Sequence, residues 1–331
     1  MMELKKRTSI AEQIELMEKR GLIIRDHSIV AKALRNLNYY RISGYLHDFK
    51  KPGADEYEDG LTGERLQALY DFDRRFTSIL MFALESIEET LKARLAYLVT
   101  ESFPDDPLIY LSMDIYRDQN DFEKFKRLFS NAVRNNGELP FVKHHHDKYG
   151  GNLPMWVAVE LFTMGNIHAV YDNLQTPYRK AIAKSFDLNE KILSSWIKNL
   201  TYTRNHLAHY MRIYNFNFGR TPKKKKGQPE SPVPNMIFDQ IQVMAYMYAD
   251  REEWDNYILA EMQSIIDKYG AYVSLSSIGF PENWSEMLHS RADDSQYTPG
   301  KIFSVLRQLS QNCCNSRIST LLSSFIRFKK F

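Results

Sequence analysis

The sequence predicts an all-α protein, and three observations carry that prediction. Apolar residues recur at helical spacing over long stretches, above all from 63 to 101, where Leu66, Leu69, Phe72, Phe76, Leu80, Phe82, Leu84 and Ile87 follow one another. Several of these stretches open on a capping residue. No segment sustains the period-two alternation of a half-buried strand.

The elements follow in order. Ser9 and Glu12 form an S-x-x-E capping box for a helix over 9–20, stopped at Gly21. A second short helix fits 28–37. The stretch YYRISGYLHDFK, 39–50, is poor in β-branched residues and reads as an irregular connection, followed by a loop punctuated by Pro52, Gly53, Gly60 and Gly63. The long helix over 63–101 continues into a charged face, Glu85, Glu88, Glu89, Lys92 and Arg94, with i,i+4 pairing. Pro104 and Pro107 end it. Further helices fit 120–134, 141–149, 153–173 and 176–185. Asp187 and Asn189 are candidate N-caps for a long helix reading through 188–215. RTPKKKKGQPESPVPN, 220–235, reads as an exposed, mobile loop. Helices return at 236–249, 250–268 and 279–288. The expected organisation is an N-terminal helical unit, 1–60, packed on a helical domain, 61–288, whose exposed loop covers about 216–235, and a C-terminal tail, 289–331, of unassigned role.

Composition narrows the function. The chain of 331 residues is 44% hydrophobic and 26% charged, an ordinary globular balance, with a net charge of +3. So weak a global field leaves any nucleic-acid affinity to local patches. Cys313 and Cys314, the two cysteines, are adjacent, which argues against a disulfide framework and a cysteine zinc site and suits a reducing cytoplasm. No apolar run suits a signal peptide or a membrane span, so a cytoplasmic protein is expected. Neither a GxGxxG nor a GxxxxGK[ST] loop is present to cradle phosphates, and there is no HExxH. His144, His145 and His146 are consecutive on a helix and point in different directions, so no metal or other cofactor is expected.

The densest cluster of reactive side chains lies in TYTRNHLAHYMRIYN, 201–215. Arg204 and His209 satisfy an R-x4–6-H spacing, but so do Arg20 with His27 and Arg41 with His47. Composition alone predicts about as many matches, so the spacing decides nothing. Context separates the three. Gly21 interrupts the pair of Arg20 and His27, and Gly44 that of Arg41 and His47, whereas Arg204 and His209 sit on a strong helix among further polar groups. On that helix Asn205 and His209 share a face, while Arg204 and His209 stand about 140° apart and about 7.5 Å apart along the axis. One rigid helix does not easily aim both at a single point, and a two-fold partner would supply a second pair, so a homodimer is expected. The residue types suit RNA cleavage, because RNA carries its own 2′-OH nucleophile. Histidine can take or give the proton, arginine can hold the phosphate, and asparagine can orient either. Candidate RNA contacts are His206, Tyr210 and Arg212 beside the pair. Tyr40 and Arg41 could stack on bases or pack the N-terminal unit. Lys223, Lys224, Lys225 and Lys226 fit a solvated loop first and an RNA-backbone contact second.

Six stretches carry a family resemblance: SIAEQIELMEKRGLII, NYYRISGYLHDF, YDFDRRF, ESIEETLKARLAYLV, LPMWVAVELFTMGNI and TYTRNHLAHYMRIYN. Over about 8–288 the chain resembles the abortive-infection proteins of the Abi D/F type, a bacterial phage-defence family of the HEPN superfamily. The resemblance implies an all-α, HEPN-like helical bundle with an N-terminal helical extension. It also implies RNA cleavage by Arg204 and His209, with Asn205 in the polar position after the arginine, and kinship with the HEPN nuclease domains of RNA-targeting CRISPR effectors. A structured non-coding RNA is a further partner it implies. An Rx4HxY signature with a modifiable tyrosine is absent, because position 211 is Met. Two functions follow: a dimeric, metal-independent endoribonuclease acting as a toxin-like effector, or a non-catalytic protein that holds a structured RNA in the same cleft.

Overall fold

The computed structural model describes residues 6–289, and all of its regular structure is helical. Among the described residues there is no strand, only isolated bridges such as Ile23 with Thr62. The expected tail beyond His289, with the cysteine pair at 313 and 314, lies outside the described residues.

Helix α1 (Ile10–Lys19) starts where the capping box predicted. The Ser9 hydroxyl accepts from the Glu12 amide at 3.2 Å, and the Glu12 carboxylate accepts from the Ser9 amide at 2.6 Å. Helix α2 (His27–Leu37) is capped by Asp26. The segment expected to be irregular is instead helix α3 (Tyr39–Leu46), continued by a 3₁₀ turn at His47–Phe49. Its tyrosines hide the helical period, since Tyr45 is buried while Tyr40 faces solvent. Asn38, at a φ of 67°, caps it through the Tyr40 amide. Helix α4 (Gly63–Glu101) is unbroken, as expected.

Helices α5 (Gln119–Asn135) and α6 (Pro140–Tyr149) follow. The single helix expected over 153–173 is broken. Helix α7 (Met155–Ala158) passes through a 3₁₀ turn, and α8 (Met164–Asn173) restarts after Thr163, which makes a second capping box with Asn166. Helix α9 is Thr176–Lys184 and α10 is Glu190–Ala208. Of the two proposed caps for α10, Asn189 accepts from the Lys191 and Ile192 amides at 3.0 and 2.9 Å. Helix α11 is Ile237–Met247; α12 (Arg251–Glu253) leads through a π turn at Trp254–Ile258 into α13 (Leu259–Tyr269); α14 is Trp284–Leu288.

The chain forms two compact units. One gathers the residues up to Leu84 with Tyr202–Thr221 and Pro229–His289; the other gathers Glu85–Thr201 with Pro222–Gln228. Helices α1 to α3 share the first unit with the end of α10. In the first unit the apolar stripe of α4 is the spine. Phe72 and Phe76, both fully buried, stack at 5.1 Å, and Phe76 meets Phe280 at 5.9 Å. Burying each such ring stabilises by roughly 1.5–3 kcal/mol. The second unit has its own aromatic core, in which Phe162 contacts Phe125 at 5.5 Å and Phe129 at 5.7 Å.

The loop after α10 is largely exposed, and hydrogen bonds fasten it at several points. In the first unit the Phe218 amide donates to the Asn235 carbonyl at 2.7 Å. In the second, the indole of the buried Trp196 donates to the Lys223 carbonyl at 2.6 Å, and the Lys223 amide donates to the Ser195 hydroxyl at 2.9 Å. A buried indole N–H needs an acceptor, and the lysine run supplies one from its backbone.

Candidate functional site

The expected helix over 188–215 stops at Ala208, and the way it stops shapes the site. The His209 amide still donates to the Asn205 carbonyl at 3.0 Å. Then Tyr210 adopts a φ of 57°, its amide donates to the Leu207 carbonyl at 2.9 Å, and the Met211 amide donates back to the His206 carbonyl at 3.1 Å. These two bonds and the left-handed residue make a Schellman motif. The position normally belongs to glycine, and a tyrosine there costs about 1–2 kcal/mol. With no glycine to mark the stop, the sequence pattern runs through it.

The turn presents His209 and Asn205 to solvent, with Tyr210 73% exposed. Arg204 is half-buried and its guanidinium donates to the Asn205 amide oxygen at 3.5 Å, a long bond. These are the side chains that the sequence selected for chemistry; all three lie in the last turns of α10 and the stop that follows it, with Arg204 in contact with Asn205.

Two of the expected RNA contacts have another job. His206 is buried and its Nε2 meets the Arg212 carbonyl at 2.7 Å. A carbonyl only accepts, so Nε2 carries the proton. The ring packs on Phe216 at 4.2 Å and Phe218 at 5.0 Å, and burial lowers its pKa below the ordinary histidine value while the bond to Arg212 raises it. Arg212 is drawn inward: its guanidinium donates to the Asp48 carboxylate and to the Gly44 carbonyl. His206 and Arg212 therefore hold the backbone around His209 rather than face a ligand.

Their anchor is a carboxylate. Asp73 lies on the buried stripe of α4, among Leu69, Phe72 and Phe76, and accepts from the Tyr45 hydroxyl at 2.8 Å, the Ile213 amide at 2.9 Å and the Tyr214 amide at 3.0 Å. Burial raises its pKa from 3.8 to about 6, against those hydrogen bonds and the nearby Arg212 charge, all of which favour the ionised form. Burial raises the Tyr45 hydroxyl as well, with the Asp73 charge adding to it. Sequence reading missed Asp73, Tyr45 and Asp48 as members of this framework. The available signal was a charged residue on an otherwise apolar helix face, which needs partners wherever it is buried.

Arg41, on α3, donates to the Tyr210 carbonyl, so the N-terminal Tyr–Arg pair is brought to the same turn. Tyr40 beside it is 81% exposed. Three of the family-like stretches, around Tyr45, Asp73 and Arg212, thus meet in one unit. Lys223, Lys224, Lys225 and Lys226 belong to the other unit, where Lys225 pairs with Asp187 at 2.6 Å. In α6, His145 Nδ1 meets the Phe141 carbonyl at 2.8 Å, and no group of three or more His, Cys, Asp or Glu that could hold a metal occurs among the described residues. No helix among them is long and apolar enough to cross a membrane.

Chemically, the exposed end of α10 offers an imidazole for proton transfer, a guanidinium for an anion and an amide to orient either, with two exposed tyrosines and Arg41 on the same unit. A family model described as "Abi-like protein" matches residues 32–215, more than half of the chain. That span contains α3, Asp73 and the whole of the turn. No curated protein and no solved structure matches the chain.

Proposed function

The chain belongs to the Abi-like protein family, and from that premise we propose that it is a metal-independent endoribonuclease of the HEPN type. Family membership points to abortive infection, a phage-defence role; the catalytic reading is ours. The observation that carries it is the division of labour in one turn. His206 and Arg212 are spent on structure, while His209 and Asn205 face solvent at the outer end of α10 in the company of Arg41 and Tyr210, with Arg204 beside Asn205.

In the reaction, the 2′-OH of RNA attacks the adjacent phosphorus and the 5′-oxygen leaves, giving a 2′,3′-cyclic phosphate. His209 moves a proton as general acid or base. Arg204 stabilises the charge that builds on the phosphoryl oxygens. Asn205, one helical turn before His209, orients the imidazole or the phosphate. A single chain supplies one such Arg–His pair at the end of α10, and a two-fold homodimer would pair two such ends and screen the reacting bond from water. RNA is the substrate, and a structured non-coding RNA is a candidate second partner.

The test uses labelled RNA and purified protein in EDTA. Cleavage to 2′,3′-cyclic phosphate ends, lost in Arg204→Ala and His209→Ala without loss of the dimer or of thermal stability, is the expected result. Full cleavage by His209→Ala would refute the mechanism. Tight binding with intact RNA would favour the non-catalytic, RNA-holding alternative.

A further inference from the structure

We propose that Tyr210 is a base-stacking residue: it receives an unpaired nucleobase next to the phosphodiester on which His209 acts. The inference rests on the RNA reading above and adds to it the residue that selects the substrate's local structure.

The backbone is the first argument. Among the described residues, Asn38, Asp187, Tyr210, Asn215 and Asn235 are the non-glycine residues with positive φ. Four are Asn or Asp, whose short polar side chains make local hydrogen bonds that ease this conformation. Tyrosine has no such relief. It occupies the one position of a Schellman motif where glycine is preferred.

Packing does not explain the choice, because the residue is 73% exposed. A strained residue that contributes little to the core points to use of its side chain. Second, the conformation is secured from outside. The Arg41 guanidinium donates to the Tyr210 carbonyl, so the direction in which the side chain leaves the backbone is set before any ligand arrives. That bond uses one of the five N–H donors of the guanidinium. Third, Tyr210 directly follows His209 in the chain and both are exposed, so the two side chains leave adjacent positions of one turn. Tyr40, 81% exposed and next to Arg41, offers a second ring on the same unit. Aromatic faces of this kind bind bases irrespective of sequence, but only bases released from pairing. Single-stranded segments and loops are therefore the substrates, and continuous duplex is excluded.

The experiment measures binding separately from cleavage. The probe is a 2′-O-methyl oligoribonucleotide, which lacks the nucleophile, carrying 2-aminopurine at successive positions. The unaltered protein is expected to bind it and quench one position, and Tyr210→Phe to behave alike. Tyr210→Gly and Tyr210→Asn, which both suit the left-handed backbone, are expected to melt no lower than the unaltered protein. They should bind roughly 5- to 150-fold more weakly and lose the quench. Unchanged binding and quenching in both would overturn the stacking role and leave the ribonuclease reading standing. Equal affinity of the unaltered protein for the same oligonucleotide in a duplex would also overturn it. No binding of either form, together with no cleavage of unmodified RNA, would remove both readings.

Discussion

Replacing Asp73 by asparagine gives the sharpest check on the framework behind the turn. The Asp73 carboxyl titrates at about 6 in the folded chain against 3.8 ordinarily. Between those values the folded state binds the proton and the unfolded state does not, so this group's contribution to stability is full below pH 4 and is lost as pH rises through 6. The whole difference converts to roughly 3 kcal/mol. Between pH 4.5 and 7.5, where the unfolded group is already mostly ionised, about 2 kcal/mol of it is visible. The amide that D73N introduces does not titrate. Urea unfolding of the two proteins across that range should show the unaltered protein losing about 2 kcal/mol relative to D73N as pH rises. Histidines and surface carboxylates titrate in both and cancel in the difference. Any fixed cost of D73N, where the amide N–H₂ must face a backbone N–H, shifts the curve without tilting it. Parallel pH curves would refute the burial argument. An unaltered protein that instead gained on D73N with rising pH would show that the bonds from Tyr45, Ile213 and Tyr214 outweigh burial.

Two further outcomes follow from the same network. Arg212→Ala and Asp48→Asn should each destabilise by about 2–3 kcal/mol, less than a fully buried pair because both side chains keep some solvent, and the double variant should cost less than the sum; equilibrium unfolding in a double-mutant cycle reads the coupling. Arg41→Ala removes a charged donor from the Tyr210 carbonyl. It should lower RNA cleavage at least tenfold while changing stability by about 1 kcal/mol or less, with Arg41→Lys restoring part of the activity, as single-turnover assays would show.

The fold was legible wherever local rules decide. Ser9 with Glu12, Asn189 before α10, and the apolar stripe of α4 each state their structure within a few residues. The failures share a cause. Helix α3 was hidden because Tyr39, Tyr40, Ser43 and Gly44 carry no apolar period, and it is held by contacts to residues far along the chain, Tyr45 to Asp73 and Gly44 to Arg212. The break between α7 and α8 lies in an apolar stretch where a threonine cap competes successfully with propagation of the helix. At the site, residue type and helical setting, not spacing, singled out Arg204, Asn205, His209 and Tyr210 as candidates. His206 and Arg212 look like their neighbours in the sequence, and only a carbonyl, a carboxylate and two phenylalanines supplied by the fold separate them.

The bond from His206 Nε2 to the Arg212 carbonyl closes a small hoop of chain. His209 and Tyr210 stand at its crest, with the clasp at its base. A hoop of this size has few shapes open to it, and the Met211 amide and Arg41 remove most of those that remain. The backbone that carries His209 is therefore ordered during folding, and only its side-chain rotamers remain to be fixed when a ligand docks. On the proposed ribonuclease reading, a loosened clasp would slow cleavage by letting the backbone of His209 wander, with Arg204, Asn205 and His209 all still present.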